Sequence, residues 1–336
     1  MHQTPPRRSD AARRTLITGG AGFIGSHLAD ALLARGDHVT VVDDLSTGRR
    51  DNLPLAHERL RFIEADLSDE LARFPRSDTF DEIYHLAAAV GVSLILEKPI
   101  ESIETNVNQT AAVLRFAGQA PRPTPTLIAS SSEVYGKGVR SPFSETDDVL
   151  YGPTTAGRWS YACSKAIDEY LALAHYRESN LPVVIARFFN TVGPRQVGDY
   201  GMVVPRFVRA ALAGEDLVVF GDGRQTRCFC HVLDVVDALP RLLASPPCRG
   251  RVFNLGSDRQ ISIADLARLV ITTLDSSSKV RLIPYEEAYT EGFEDLRQRQ
   301  PDLSRINDAI GFEPRRSLDD TIRDIADAMR RESTTC

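Results

Sequence analysis

Long apolar runs are missing from this chain: no stretch reaches the roughly 18–20 residues that a membrane-spanning helix requires. Residues 1–14 (MHQTPPRRSDAARR) carry two prolines and four arginines but no apolar core, so they do not read as a signal peptide. A disordered tail on a cytoplasmic protein is expected, with no membrane partner. Basic excess is missing too. The net charge is −6, which provides no field for nucleic acid. Cysteine is scarce, with five in 336 residues. Cys228-Phe229-Cys230-His231 lacks the C-x2-C spacing and the second ligand pair of a zinc site. In a strand, Cys228 and Cys230 share one face as small buried residues, and no metal is expected. No internal repeat is visible.

What is present is an ordinary globular composition, 42% apolar and 26% charged, long enough for roughly two domains. Thr15–Thr18 is a short apolar run ending in Gly19-Gly20-Ala21-Gly22-Phe23-Ile24-Gly25. A helical pattern follows, then the β-branched run His38–Asp43, which together make a βαβ unit. Further strands are expected at 60–64, 82–85, 126–130 and 183–187, with helices over 101–117 and 160–178. Repeated βα units imply an α/β fold, a doubly wound parallel Rossmann sheet with helices on both faces. After about residue 190 the rhythm breaks. A strand at 252–255, a helix at 261–274 capped by Ser262, a polar irregular stretch at 284–305 and a closing helix at 317–331 capped by Ser317 are expected. The expected division is a tail at 1–14 and a dinucleotide-binding domain at 15–190 with a returning segment at 228–258. A smaller substrate domain takes 191–227 and 259–336.

The glycine run fits G-x-G-x-x-G with a strand before it, a helix after it and an acid at the next strand end. Gly19, Gly22 and Gly25 permit a tight turn and close approach of backbone to a pyrophosphate. The helix entered through Phe23 and Ile24 aims its N-terminal amides at that charge. Asp43, with Asp44 beside it, is placed to accept ribose hydroxyls and to repel a 2′-phosphate, which favours NAD over NADP. Arg49 and Arg50 nearby weaken that preference, and a helix-capping role for either aspartate is the plainer alternative. Asp66 and Leu67 follow the third strand toward the adenine edge. Leu86, Ala87 and Ala88 are small or apolar residues where the nicotinamide side would pass.

Tyr161 and Lys165 are four apart on a helical pattern, so phenol and ammonium share one face. Removing a hydride from a carbinol carbon requires the hydroxyl proton to leave as well. A tyrosine with its pKa lowered toward neutrality by the neighbouring lysine can take that proton. Such pairs also occur on plain solvated helices; the dinucleotide turn upstream is what favours the redox reading. The run Ser131-Ser132-Glu133 follows an apolar strand and delivers hydroxyls and one carboxylate to its end.

These motifs, in order, resemble the extended short-chain dehydrogenase/reductase family that acts on nucleotide-sugars. They include TGGAGFIG at 18–25, SSSEVYG at 130–136, YACSK at 161–165, Arg187–Pro194 around Asn190, Gly221–Arg227 with Asp234, and Arg299–Asp302. The resemblance spans Gly19 to about residue 330. It implies NAD that is reduced and reoxidised within one cycle, a UDP-, dTDP- or GDP-sugar substrate, and a homodimer through helices near 101–117 and 160–178. Oxidation at C4 then opens three outcomes: epimerisation, dehydration or loss of a C6 carboxylate. The family's dehydratases have adjacent Asp and Glu where this chain has Ser132-Glu133. Simple 4-epimerases usually lack a glutamate at the position of Glu133. The closest resemblance is to the UDP-glucuronate decarboxylases, which give a UDP-4-keto-pentose or UDP-xylose; a UDP-hexose or UDP-uronate 4-epimerase is the alternative.

By that resemblance Ser131 holds the C4 oxygen, and Ser132 and Glu133 lie near C5 and C6. There Glu133 would destabilise the substrate carboxylate until it departs, or organise protonation of C5; the plainer alternative is a structural acceptor at the strand end. Arg227 serves the diphosphate or the sugar end. Asn190, Arg195 and Arg299, with Arg206 and Arg224, form an anion-binding set of which each arginine alone reads as surface charge. Val204, Val218 and Phe220 are expected against the base. A non-catalytic NAD-binding regulator is the reading of another class, and the intact Ser131, Tyr161 and Lys165 speak against it.

Overall fold

The computed structural model describes residues 12–75, 79–89, 98–138, 140–197, 202–284 and 299–335. The first half alternates strand and helix. β1 (Arg14–Thr18) leads through the glycine turn into α1 (Phe23–Arg35), followed by β2 (His38–Asp43) and β3 (Leu60–Glu64). Then come α2 (Leu67–Arg73), β4 (Glu82–His85), α3 (Pro99–Gln119), β5 (Thr126–Ser131), α4 (Ser160–Ser179) and β6 (Val183–Phe188). The second half contains β7 (Thr191–Val192), α5 (Val203–Ala213), β8 (Leu217–Phe220), β9 (Thr226–Cys228), β10 (Cys230–His231), α6 (Val232–Ala244) and β11 (Arg251–Leu255). It ends with β12 (Gln260–Ser262), α7 (Ile263–Thr273), β13 (Val280–Ile283), α8 (Ser304–Ile310) and α9 (Leu318–Thr335).

Seven parallel strands form one sheet in the order β3-β2-β1-β4-β5-β6-β11. β4 and most of β5 are buried continuously rather than at alternate positions, as a sheet covered on both faces requires. Side chains split between two cores by strand parity. Ile17, Val41, Leu127 and Val184 pack with Leu28 and Leu32 of α1 and Val235 and Leu239 of α6. Leu16, Val42, Ile128 and Ile185 pack on the opposite face with Leu71 of α2, Val113 and Leu114 of α3, and Ala172 of α4. The connection order reverses between β1 and β4, which opens a crevice above the strand ends. A third core, built on Phe207 of α5, Val219 of β8, Leu266 of α7 and Ile322 of α9, supports the other wall of that crevice.

Several expected boundaries move. Arg14 belongs to β1 rather than to a tail, and its neighbour Arg13 is ion-paired with Glu82 at 2.8 Å. Ile261 lies in β12, which pairs antiparallel with β9, so helix α7 begins only after Ser262. Ser262 does cap it, accepting from the Asp265 amide at 3.0 Å. Ser317 caps α9 in the same way through the Asp320 amide at 3.1 Å. The stretch expected to be irregular runs at its end into the helix Ser304–Ile310, while residues 285–298 lie outside the described part, as do residues 1–11 of the expected tail. Among the described residues no helix is long and apolar enough to cross a membrane.

Candidate active site

A cleft of about 1160 Å³ lies above the sheet's switch point, between the seven-stranded sheet and the third core. Its deep end is the β1–α1 turn. Gly19 has φ +69°, and a Cβ there would stand 2.6 Å from the Ala87 amide nitrogen. A Cβ on Gly25 would stand 2.2 Å from the Gly19 carbonyl oxygen. Only glycine lets this turn pass so close under the β4 loop, leaving a backbone-walled cradle in front of α1. Gly19, Gly22, Phe23, Ile24 and Gly25 all line the cleft, and so do Leu86, Ala87 and Ala88 opposite. Gly22 caps α1 without a side-chain hydrogen bond, leaving that helix terminus to an incoming anion.

Asp43 and Asp44 line the same end. The Asp43 carboxylate is already engaged by its own backbone, accepting from the Ala21 and Leu45 amides, both at 2.9 Å. Burial raises its pKa against the pull of these amides. Neither Asp43 nor Asp44 caps a helix, and the bonds Asp43 does accept leave a ribose role open, because each carboxylate oxygen keeps a second lone pair. Arg50 is drawn off to Glu64 and lies over the Phe62 ring at 5.3 Å. Leu67 lines the cleft; Asp66 does not, because it caps α2 by accepting from the Asp69 amide at 3.0 Å.

At the centre, β5 and α4 bring Ser131, Tyr161 and Lys165 into one wall. The Ser131 hydroxyl is hydrogen-bonded to the Tyr161 phenol and also accepts the Glu133 amide at 3.2 Å. Burial first, then the Glu133 and Asp168 carboxylates, hold the Tyr161 phenol above the ordinary tyrosine range, and Ser131 offsets only part of that. The Lys165 Nζ donates to Asp168 Oδ2 at 2.8 Å.

Ser132 is buried on the same turn. Glu133 sits between two guanidinium groups, hydrogen-bonded to Arg299 Nη1 and 3.8 Å from Arg158 Nη2. Burial would push its carboxyl up, but Arg299, Arg158 and Arg227 together hold it below the ordinary range. The expected repulsion between Glu133 and a substrate carboxylate is therefore largely cancelled by its own cations. Sequence reasoning missed Asp168, which lies three positions from Lys165, the helical spacing that signals a shared face. Arg158 comes from the short turn that precedes α4.

The outer end holds Asn190, Val204, Phe220, Arg227 and Arg299, which all line the cleft. Asn190 is fixed by donating to the Cys228 carbonyl at 3.1 Å. Arg206 lies over the Phe220 ring at 4.8 Å and donates to the Val218 carbonyl at 3.1 Å. Val218 itself does not line the cleft, since alternate residues of β8 point to opposite faces. Arg195 is also absent from the lining; it is paired with Asp30 of α1 at 2.8 Å. Arg224 falls outside as well. Cys228 and Cys230 are buried thiols, and His231 Nδ1 accepts the Leu233 amide at 3.0 Å to cap α6.

A family model described as GDP-mannose 4,6 dehydratase matches residues 16–325. A UDP-N-acetyl-α-D-glucosaminuronate decarboxylase of Bacillus cytotoxicus is 42% identical over 313 residues, 93% of this chain and 96% of the relative. UDP-glucuronic acid decarboxylase 4 of Arabidopsis thaliana is 37% identical over 307 residues, 91% of this chain and 66% of that one. Among solved structures, a UDP-glucose 4-epimerase of Thermus thermophilus in complex with NAD superposes with a TM-score of 0.81 at 28% identity, covering 94% of this chain and 99% of its own. The motif order, the glycine cradle and the Ser131–Tyr161–Lys165 wall agree with these matches, and the chain belongs to the GDP-mannose 4,6-dehydratase family of NAD-dependent extended short-chain dehydrogenases/reductases.

Proposed function

We propose that this protein decarboxylates a UDP-hexuronate, with UDP-glucuronate or its 2-acetamido counterpart as substrate and a UDP-4-keto-pentose or UDP-pentose as product. The observation that carries this reading is Glu133 held ionised between Arg299 and Arg158. Ser132 stands where the dehydratases carry the aspartate that protonates a leaving C6 hydroxyl, and the ionised Glu133 beside it has no proton to give in its place, which counts against dehydration. The two guanidinium groups of Arg299 and Arg158 against one carboxylate leave a net positive field at the sugar end, which suits a C6 carboxylate. The names of the relatives from Bacillus and Arabidopsis point the same way.

NAD is the cofactor, and the residues present fit it: the Gly19–Gly25 cradle for the pyrophosphate, Asp43 and Asp44 for the ribose, and Leu86–Ala88 beside the nicotinamide. When bound, NAD supplies the acceptor for hydride from C4. Tyr161 takes the C4 hydroxyl proton, and Ser131 fixes that oxygen and stabilises the phenolate. A C4 ketone makes the C6 carboxylate a β-keto acid. The C5–C6 bond then breaks as CO2 leaves, its electron pair is held as enolate at O4 under Ser131 and Tyr161, and C5 takes a proton. Glu133, able only to accept, orients the water or Ser132 hydroxyl that delivers that proton. Asn190, Arg227 and Arg206 hold the diphosphate, with Phe220 and Val204 against the base.

The test is incubation with NAD and each of UDP-glucuronate, its 2-acetamido counterpart and UDP-glucose, followed by mass spectrometry. CO2 loss from a uronate is expected, with no turnover by Tyr161→Phe although that variant still retains NAD. Interconversion of hexoses at unchanged mass, with both uronates inert, would reject decarboxylation in favour of a 4-epimerase. The protein is further read as cytoplasmic, on the free thiols Cys163, Cys228, Cys230 and Cys248. It is read as a homodimer, on the apolar side chains that α3 and α4 leave exposed.

A further inference from the structure

Tyr135 belongs to the turn that carries Glu133, yet it does not line the cleft. It is buried, with its ring 4.8 Å from that of Phe143 and the Arg187 guanidinium 4.6 Å above it. Its hydroxyl donates to Asn254 Oδ1 at 2.6 Å. Asn254 lies near the end of β11, in register with Arg187 of β6, and is fully buried. Its Nδ2 donates to the Phe143 carbonyl at 2.8 Å and to the Asp302 carbonyl at 3.2 Å. The amide orientation is forced, because those two carbonyls can only accept. Its backbone N–H donates to Glu145 Oε1 at 2.8 Å.

The segment held in this way is the one that carries Arg299. Phe143 donates its amide to the Gln300 carbonyl and accepts the Asp302 amide, each at 2.8 Å, in a short parallel bridge opposite Pro301. Arg299 enters the cleft from the start of that bridge, and its Nη1 is hydrogen-bonded to Glu133. One side-chain amide therefore meets the Glu133 turn two residues past Glu133 and the Arg299 segment three residues past Arg299. A charge-assisted hydrogen bond weakens steeply with distance and angle, so a small shift of either backbone loosens the pair.

We propose that Asn254 is a positioning residue that fixes the Glu133 turn and the Arg299 segment against each other, and so sets the ion pair at the sugar end of the cleft. The proposal rests on reading Glu133 and Arg299 as that end of the site, and it does not depend on which bond the enzyme breaks.

Asn254→Ala removes the bridge. The test reads what Glu133→Gln costs, as a shift of the urea midpoint at neutral pH, in the wild-type and the Asn254→Ala backgrounds. A residue that only supports the fold lowers both midpoints of a pair alike and leaves that shift unchanged. Positioning by Asn254 is expected to shrink the shift by at least about half, because the guanidinium group is no longer held on the carboxylate. Glu82→Gln is the control. Glu82 is buried at the opposite end of the sheet, paired with Arg13 at 2.8 Å and Arg35 at 2.6 Å, and its midpoint shift is expected to be equal in the two backgrounds. An undiminished Glu133→Gln shift in folded Asn254→Ala protein overturns the proposal, and so does a loss shared equally by Glu133→Gln and Glu82→Gln. If Asn254→Ala does not fold, Tyr135→Phe takes its place, since it cuts the bridge on the Glu133 side and keeps the ring. The same reduction is then expected, and the same two results overturn the proposal. No sugar nucleotide enters these measurements. Failure to release CO2 therefore sinks the decarboxylase reading alone, and an undiminished shift sinks the role of Asn254 alone.

Discussion

A carboxyl group stripped of water ordinarily holds its proton more tightly, yet Glu133, 22% exposed at its side chain, is driven the other way by Arg299, Arg158 and Arg227. Its folded pKa lies below the value of about 4.3 expected in the unfolded chain. The stability it contributes is therefore fully present above the unfolded value and disappears as pH falls through the lower, folded one. Glu133→Gln is expected to cost about 1–3 kcal/mol at neutral pH, because it leaves the facing guanidinium groups uncompensated. That difference should close as the wild-type carboxylate is itself protonated in acid. Chemical denaturation of both proteins across the acid range checks this, and a penalty constant with pH would show that Glu133 acts through shape alone. That Tyr161 and Lys165 share a face was legible in their spacing, and that Ser131 and Glu133 stand at a strand end was legible in the apolar run before them. The Glu133–Arg299 contact spans 166 positions, and nothing local encodes it. Asp66 and Arg195 have near partners, the Asp69 amide and Asp30, and neither lines the cleft.

The β1–α1 turn carries the cofactor end of the site as a single element, and its geometry depends on backbone closeness rather than on side-chain contacts. Gly25→Ala would push a methyl to 2.2 Å from the Gly19 carbonyl, a distance that only backbone movement relieves. The expected result is a folded protein, less stable by about 1–3 kcal/mol, that no longer retains NAD through gel filtration. Retention at the wild-type level would mean that the cradle is looser than these distances imply. Strands and helices of the first half were readable because buried parallel strands are continuous apolar runs and the helices between them are periodic. The second half was harder to read. Its strands are two to five residues long, and their pairing partners lie far apart in sequence, as with β12 against β9 and β13 against β8. Ile261 shows the difficulty: its apolar character fits the first turn of α7, and only the Arg227 backbone opposite makes it a strand residue.

At the scale of the whole molecule, α3 and α4 pack side by side over one face of the sheet, and each shows outward apolar residues three apart. Ile100 is 73% exposed and Ile103 38% on α3, while Ile167 is 45% and Tyr170 70% on α4. A surface of this kind suits a specific partner. A second copy meets the requirement by symmetry, since the same two helices turned about a two-fold axis present the same residues back. The double variant Ile100→Glu/Tyr170→Glu sets like charges on each face of such a contact. Sedimentation velocity is expected to show a dimer for the wild type and a monomer for the variant at micromolar concentration, with the cleft still able to retain NAD because none of its cradle residues lies on that face. A wild-type protein sedimenting as a monomer would leave the face without its partner and refute the dimer. A variant that stays dimeric would move the interface off α3 and α4 altogether.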